Sequence, residues 1–231
     1  RLPESFEILG DGVYIQPNPE LRPERSLNTN LGIRYRVEHQ PWQVRTSANF
    51  FYRFSRDFIR YNPIGPFGAF ENLSHVRSLG VEGSIHLTYR ELAQLQGSFT
   101  WQDITDRTPF DEGLPNTNFT SRVPNIPYLF GNVRLGLSPW QTDWLRSLTV
   151  YWNTRYVHAF FLMWENLGSR DSKHIIPRQL LHDVEAELAM RDGQYNLSFS
   201  ITNLLDAPAF DNFNIQNPGR AVQVKMRYFL Q

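Results

Sequence analysis

The chain contains no cysteine and almost no lysine. The absence of cysteine excludes a disulfide framework, a thiolate metal site and a thiolate nucleophile. Of the 23 basic residues only Lys173 and Lys225 are lysine, and arginine favours fixed, bidentate pairs with carboxylates over mobile solvated charge. The formal net charge is zero, so no overall field attracts nucleic acid, and we expect no nucleic-acid partner.

Long apolar runs are also absent. No stretch approaches the roughly 18 consecutive apolar residues that a membrane helix needs, and the mean hydropathy is −0.45. This low value is compatible with a membrane barrel, because a barrel strand exposes only alternate side chains to lipid. The chain starts at Arg1 without an initiator methionine or a signal-peptide pattern, and we expect it to be a piece of a longer protein.

What the sequence does have is alternation of apolar and polar residues with period two. In the final run Val222 and Val224 point to one face of a strand while Gln223 and Lys225 point to the other, since successive side chains of a strand alternate. No apolar stripe with helical period competes with this pattern. The alternation predicts nine strands, at about 25–38, 43–59, 77–89, 94–104, 126–137, 147–157, 179–190, 195–205 and 221–230.

The connections between these strands alternate in length. Short ones are predicted near 39–42, 90–93, 138–146 and 191–194, with Asp192-Gly193 as a strong hairpin turn. Long ones are predicted at 60–76, 105–125, 158–178 and 206–219, and a leading segment spans 1–24. Short periplasmic turns and longer extracellular loops are typical of outer-membrane barrels. The sequence therefore predicts an all-β fold, an antiparallel up-and-down transmembrane β-barrel.

The polar faces of the predicted strands are ionic. A dry core would have to bury these charges, and each buried charge is costly unless it is paired, whereas a water-filled lumen accepts them. A soluble β-sandwich is the alternative, but its strands are usually about 5 to 6 residues long, and these reach the roughly 9 to 11 that cross a bilayer. The residues predicted to face the lumen are Arg45, Arg53, Glu82, Arg134, Arg155, Asp183, Glu185, Glu187, Lys225 and Arg227.

Short motifs punctuate the predicted strands. The segment 18–26, Asn-Pro-Glu-Leu-Arg-Pro-Glu-Arg-Ser, resembles the NP-x-L-x-PE-x-S signature of TonB-dependent outer-membrane receptors. Segments 1–4, 80–83, 203–206 and 218–220 match the same family in order and spacing. Any one of them is explained as turn punctuation, but the ordered set is specific. The residues that carry the resemblance are Asn18, Pro19, Leu21, Pro23, Glu24, Asn203, Leu204, Asp206, Pro218, Gly219 and Arg220.

This resemblance implies a fold and a function. Receptors of this kind have 22-stranded barrels with a plugged lumen, so residues 1–231 would be the C-terminal segment of the barrel, without the plug domain and the earlier strands. The implied location is the bacterial cell outer membrane. The implied partners are outer-membrane lipid, the protein's own plug domain and the TonB-ExbB-ExbD energy-coupling complex. The implied function is active uptake of a scarce, large nutrient such as a metal chelate, siderophore, haem, vitamin or glycan.

Two other classes of protein remain open at this stage. One is a passive porin or adhesin barrel fragment, which would lack a plug domain. The other is a soluble β-sandwich binding module, which would be a monomer without detergent. The upstream sequence separates the receptor from the first alternative.

The sequence contains no catalytic constellation. The six histidines have no His-Glu-x-x-His or other close metal-ligand spacing, and we expect neither an enzyme nor a cofactor. Asp183, Glu185 and Glu187 place three carboxylates on one strand face, which suggests a cation site. Pairing with arginines of neighbouring strands or of a plug is the favoured interpretation.

Aromatic residues in the long connections are the candidate ligand contacts. Loops on a rigid scaffold commonly carry recognition, and the segments 67–70 and 160–164 are rich in aromatic residues. The alternative is that they form strand ends and the interfacial aromatic belt. The residues predicted for ligand contact are Phe67, Phe70, Phe161 and Trp164.

Overall fold

The chain folds as a long antiparallel meander in a computed structural model that describes residues 1–64, 66–111, 113–140, 145–166, 174–190, 194–211 and 215–229. Among these residues no helix is long and apolar enough to cross a membrane. The elements are α1 (Ser5–Leu9), β1 (Ile15–Gln16), β2 (Arg25–His39), β3 (Trp42–Ile64), β4 (Phe67–Tyr89), β5 (Ala93–Asp106), β6 (Phe110–Asp111), β7 (Leu114–Pro115), β8 (Leu129–Trp140), β9 (Leu145–Val157), β10 (Phe160–Phe161), β11 (Ile175–Ile176), β12 (Gln179–Met190), β13 (Tyr195–Thr202) and β14 (Ala221–Tyr228).

The main sheet is an up-and-down arrangement in which each long strand pairs with its neighbours in the sequence. The strand order is β14-β13-β12-β9-β8-β5-β4-β3-β2, and the short β1 adds to β4 in parallel. The two-residue pairs β6–β7 and β10–β11 are small hairpins within the connections. The predicted all-β, antiparallel up-and-down fold is confirmed.

The prediction of a long loop at 60–76 is wrong. Strands β3 and β4 continue through this region as one hairpin, paired in register from Trp42 opposite Tyr89 to Ile64 opposite Phe67. Proline at position 63 predicts a break, but Pro63 lies within β3, directly opposite Gly68 of β4. The extension is stabilised by contacts with residues far away in the sequence, which local patterns do not contain.

Other predicted boundaries shift by a few residues. Strand β8 begins at Leu129, not at 126, and extends to Trp140. Strand β13 ends at Thr202 because Asn203 has a positive φ of 50°, a conformation that interrupts strand pairing. The predicted Asp192-Gly193 turn lies outside the described residues.

The register divides the sheet into two faces. One continuous row across five strands is Leu31, Phe50, Val81, Trp101 and Leu129, and this face is apolar. Its side chains are widely exposed: Leu31 keeps 74% of its surface accessible. Exposed apolar faces of this extent require a cover, and lipid covers the outer face of a membrane barrel.

His182 lies on the apolar face, and its ring contacts neighbouring strand β9. Its Nδ1 is 3.0 Å from the hydroxyl of Thr154, the residue directly opposite it, and the ring packs at 5.6 Å from that of Trp152. The hydrogen bond satisfies one ring nitrogen, which lowers the cost of a polar group on an apolar face.

Candidate functional site

The polar face of the sheet is the largest candidate site. Arg45 lies opposite His86, His86 opposite Gln96, Gln96 opposite Arg134 and Arg134 opposite Asn153. Directly opposed residues of paired strands share a face, and the other strands continue these rows. The structure thus places on one face all ten residues predicted to face a lumen: Arg45, Arg53, Glu82, Arg134, Arg155, Asp183, Glu185, Glu187, Lys225 and Arg227.

One ion pair joins two of these residues. The Nη2 atom of Arg134 is 3.5 Å from Oε2 of Glu185, and the Arg134 guanidinium lies 4.0 Å from the centre of the Tyr151 ring. Both charged side chains remain about one-third exposed, so the pair contributes roughly 0 to 1 kcal/mol to stability. It orients the two groups more than it stabilises the sheet.

Three of the charges on this face that have no ion pair within the described part of the chain lie in one groove. Glu187, Lys225 and Arg227 line a groove over strands β12, β13 and β14 together with serine and asparagine side chains. The groove therefore presents both signs of charge and many hydrogen-bonding groups. A polar protein surface fits it better than an apolar one.

Asp183 has a structural partner. Its Oδ1 accepts a hydrogen bond of 2.8 Å from the backbone N–H of Asn203, so one oxygen of the expected acidic row connects strand β12 to the end of β13. A carboxylate that accepts a backbone N–H has less capacity for arginine. Of the three predicted carboxylates, Asp183 is thus engaged by the backbone of Asn203, while Glu185 and Glu187 line the groove of the polar face.

The motif at 203–206 forms the turn that leaves strand β13. The buried side-chain amide of Asn203 donates to the carbonyl of Ala207 at 2.8 Å and accepts from the N–H of the same residue at 2.9 Å. The N–H of Leu204 donates to the carbonyl of His182 at 2.7 Å. These bonds satisfy backbone groups that the end of the strand leaves unpaired.

The motif at 218–220 is coupled to the same turn. Oδ1 of Asp206 accepts a 2.7 Å hydrogen bond from the N–H of Arg220, and Pro218 precedes this contact in the sequence. A Cβ atom added at Gly219 would lie 2.5 Å from that Oδ1 atom, so a larger residue here would displace the Asp206 carboxylate from its hydrogen bond to Arg220. The family motif therefore sets how the chain enters β14.

The motif at 18–26 attaches the leading segment to the β3–β4 hairpin. The Asn18 side chain donates to the carbonyl of Phe70 at 2.8 Å, and Leu21 is buried. The Glu24 carboxylate is also buried and accepts from the Ser55 hydroxyl at 3.4 Å. Pro19 and Pro23 separate these anchor points. These contacts are structural, and they position the end of the sheet that carries the long connections after β5, β9 and β13, which we call the outer end.

The four aromatic residues predicted for ligand contact lie at this outer end, in different settings. Phe67 and Phe70 belong to strand β4, not to a loop. Phe67 is 44% exposed, whereas the Phe70 ring packs against those of Phe6 and Tyr61. Phe161 is half-buried in β10. Phe67 is the member of the set that is most open to a ligand.

The fourth, Trp164, is buried against a charged group that the sequence did not indicate. The Arg60 guanidinium lies 5.0 Å from the centre of the Trp164 ring and forms an ion pair with Glu71. Burial lowers the pKa of the Arg60 guanidinium, and the Glu71 carboxylate opposes that shift. Arginine stays charged in either case, so Arg60 connects the segment after β10 to the β3–β4 hairpin through a cation–π contact.

An exposed apolar group near β6 and β7 was also missed. Phe110 is 64% exposed, Leu114 71% and Phe119 45%, and Gly113 between the first two has a φ of +83°. The combination Pro-Phe-Asp-Glu-Gly-Leu-Pro at 109–115 contains the signal, because a glycine turn flanked by apolar residues predicts a small hairpin that presents them. These residues add exposed apolar surface to the connection between β5 and β8.

Metal coordination by carboxylates and histidines is not supported by the part of the chain described. Within it, no three or more His, Asp or Glu side chains are grouped so that they could hold a metal ion. The side chains exposed at the outer end include Phe67, Phe110 and Leu114.

Solved structures share this fold. The chain superimposes on a copper transporter, OprC, with a TM-score of 0.69 and 16% identity, covering 99% of this chain and 34% of that one. The siderophore receptor PirA from Acinetobacter baumannii gives 0.64 and 17%, covering 93% and 33%. The FrpB iron transporter from Neisseria meningitidis gives 0.63 and 16%, covering 93% and 32%. The chain thus spans about a third of each of these structures.

Comparisons of sequence give a second result. No curated protein sequence matches the chain. The family described as TonB dependent receptor-like, beta-barrel, matches residues 1–204, which include the motif at 18–26 and eight of the nine long strands of the sheet. The ordered motifs, the up-and-down sheet and this match agree, and the chain belongs to the TonB-dependent receptor β-barrel family.

Proposed function

We propose that this chain is the C-terminal wall of an outer-membrane receptor that takes up a scarce metal, as an ion or a chelate, with energy supplied through the TonB-ExbB-ExbD complex. The plug domain and the earlier strands belong to the part of the protein that precedes this chain. In this scheme the apolar face contacts lipid, the polar face surrounds the plug, and the outer end captures the nutrient.

The observation that carries the proposal is the single polar face with ten charged residues. In a passive pore the polar wall contacts only water, and in a plugged receptor it also contacts the plug domain. Here the groove with Glu187, Lys225 and Arg227 leaves three charges without partners in the described residues, which suits a second polar surface such as a plug. Polar contacts of this kind hold a domain in place yet release it when force is applied, because each contributes little alone.

The metal as nutrient is supported by two observations. The structures that share the fold are described as a copper transporter, a siderophore receptor and an iron transporter. The outer end of this chain also carries exposed apolar side chains, Phe67, Phe110 and Leu114, and apolar surface with sparse polar groups is typical of small-molecule sites.

Growth under metal limitation tests the proposal. A strain deleted for the full gene is compared with its parent in medium depleted of iron or of copper, and uptake of the corresponding radioactive metal is measured. We expect uptake to fall in the deletion strain and in a strain without TonB, and to return with the gene only when TonB is present. Uptake that continues without TonB would contradict the energy-coupled function and would favour a passive barrel.

A further inference from the structure

Arginine follows the outward-facing apolar side chains on three adjacent strands. Moving toward the outer end, Leu27 of β2 is followed on its face by Arg25, and Phe54 of β3 by Arg56. On β4, Leu79 is followed by Arg77 in the same way. A basic row therefore follows these apolar side chains across β2, β3 and β4.

The register aligns these arginines with one another. Arg25 lies directly opposite Arg56, and Arg56 lies directly opposite His75. Directly opposed side chains have Cβ atoms roughly 4.5 to 5.5 Å apart, and like charges in such pairs are destabilising. Both Arg25 and Arg56 are exposed, and neither forms an ion pair with any described residue.

Strand β5 adds a carboxylate and a further arginine. Asp103 follows Trp101 on the outward face, and its two oxygens accept from Arg77 Nη2 at 3.0 Å and Arg122 Nε at 2.9 Å. The Arg122 guanidinium also lies 4.2 Å from the centre of the Tyr128 ring. One carboxylate thus orients two guanidinium groups and neutralises only one of them.

We define the arginine collar as Arg25, Arg56, Arg77 and Arg122. Its four positive charges face one carboxylate, it lies directly beyond the apolar face, and it points outward, away from the polar face. An outward position at this level meets the headgroups of the membrane rather than a plug or a nutrient. Arginine binds phosphate oxygens in bidentate fashion.

We propose that the arginine collar binds the phosphate groups of a phosphorylated lipid in the outer leaflet. The acyl chains of the lipid pack on the adjoining apolar side chains such as Leu27 and Phe54, and the phosphates bridge the opposed Arg25 and Arg56. The bound anion relieves the repulsion between these two residues. This inference rests on the proposed location in the outer membrane, and it is independent of energy coupling.

The test uses the full-length receptor purified in detergent. The probes are bisphosphorylated lipid A, the same lipid without its phosphates, and inorganic phosphate, and binding is measured by native mass spectrometry and by titration. The variant is R25Q/R56Q. The matched control is R34Q/R53Q, which makes the same two changes on the same strands but on the polar face.

We expect the wild-type receptor to bind the phosphorylated lipid at least tenfold more tightly than the dephosphorylated one. The R25Q/R56Q variant should lose that preference, and R34Q/R53Q should keep it. Heat-dependent mobility on gels verifies that each variant is folded.

Three results would overturn the proposal: equal affinity for both lipids, an equal loss in R34Q/R53Q, or displacement of the lipid by low millimolar inorganic phosphate, which would indicate a free-phosphate site. None of these three results would contradict the proposed uptake of metal by the receptor. Metal uptake that continues without TonB, together with normal lipid binding, would instead contradict the proposed function alone.

Discussion

A charge introduced on one or the other face of strand β13 tests which face contacts lipid and which contacts water. Phe199 is 40% exposed on the apolar face, opposite Ala186 and Val224. Its neighbour Ser200 is on the polar face, directly opposite Glu185. We therefore compare Phe199→Arg with Ser200→Arg, two substitutions one residue apart that introduce the same charge.

The expected cost follows from depth in the membrane. Strand β13 begins at Tyr195, four residues before Phe199. This separation corresponds to about 13 Å along the strand and, at a tilt of about 45°, to about 9 Å of height in the membrane. The apolar band is about 25 Å tall, so Phe199 lies close to its middle, where arginine costs roughly 2 to 4 kcal/mol. This corresponds to a loss of roughly 30-fold to 1,000-fold in the folding equilibrium.

The assay is urea-dependent folding of the full-length receptor into phospholipid vesicles, followed by gel mobility and tryptophan fluorescence. We expect the midpoint for Phe199→Arg to fall clearly and that for Ser200→Arg to stay near wild type, since Glu185 faces the new charge. Equal destabilisation by the two variants, or a greater effect of Ser200→Arg, would refute the assignment of the faces.

Three further substitutions test the connections at the ends of the strands. Gly219→Ala brings a Cβ atom to 2.5 Å from Oδ1 of Asp206 and should displace that oxygen from the Arg220 N–H, and we expect a destabilisation of about 1 to 3 kcal/mol in the same urea titration; an unchanged midpoint would contradict a stabilising role of this hydrogen bond. Asn203→Ala removes two hydrogen bonds to the backbone and should cost about 1 to 3 kcal/mol, measured likewise, whereas Asn203→Asp should retain the accepting half of the contact. Glu71→Gln leaves the buried Arg60 without its carboxylate, and protease cleavage within 57–75 should become faster; cleavage at the wild-type rate would argue against a role of the pair in holding the hairpin.

Alternation of side chains accounts for what could be predicted of the sheet. The period of two depends only on the local backbone, and Val222 to Lys225 display it without help from the rest of the chain. Each strand of the meander was recognised in this way, and so were its two faces, because lipid and water select opposite residue types on alternate positions.

The outer end was not predictable in the same manner. The β3–β4 extension contains Pro63, which locally disfavours a strand. The contacts that hold the extension, such as Asn18 with Phe70 and Arg60 with Glu71, join residues distant in sequence or strands whose pairing is not known beforehand. Burial of an aromatic residue under such contacts has no sequence signature either. The exposed Phe110 and Leu114 did have one, in the glycine turn between them.

The most direct test of the account uses the absence of cysteine from this chain. Single cysteines are placed in turn at Asn132, Val133, Arg134 and Leu135 of β8 in a full-length receptor without other cysteines, and each is labelled with a fluorophore. The receptor is reconstituted in vesicles that contain lipids with a quencher on their acyl chains. Quenching should be strong at Val133 and Leu135 and weak at Asn132 and Arg134, and quenching that is uniform or reversed would contradict a wall with one lipid face and one lumen face.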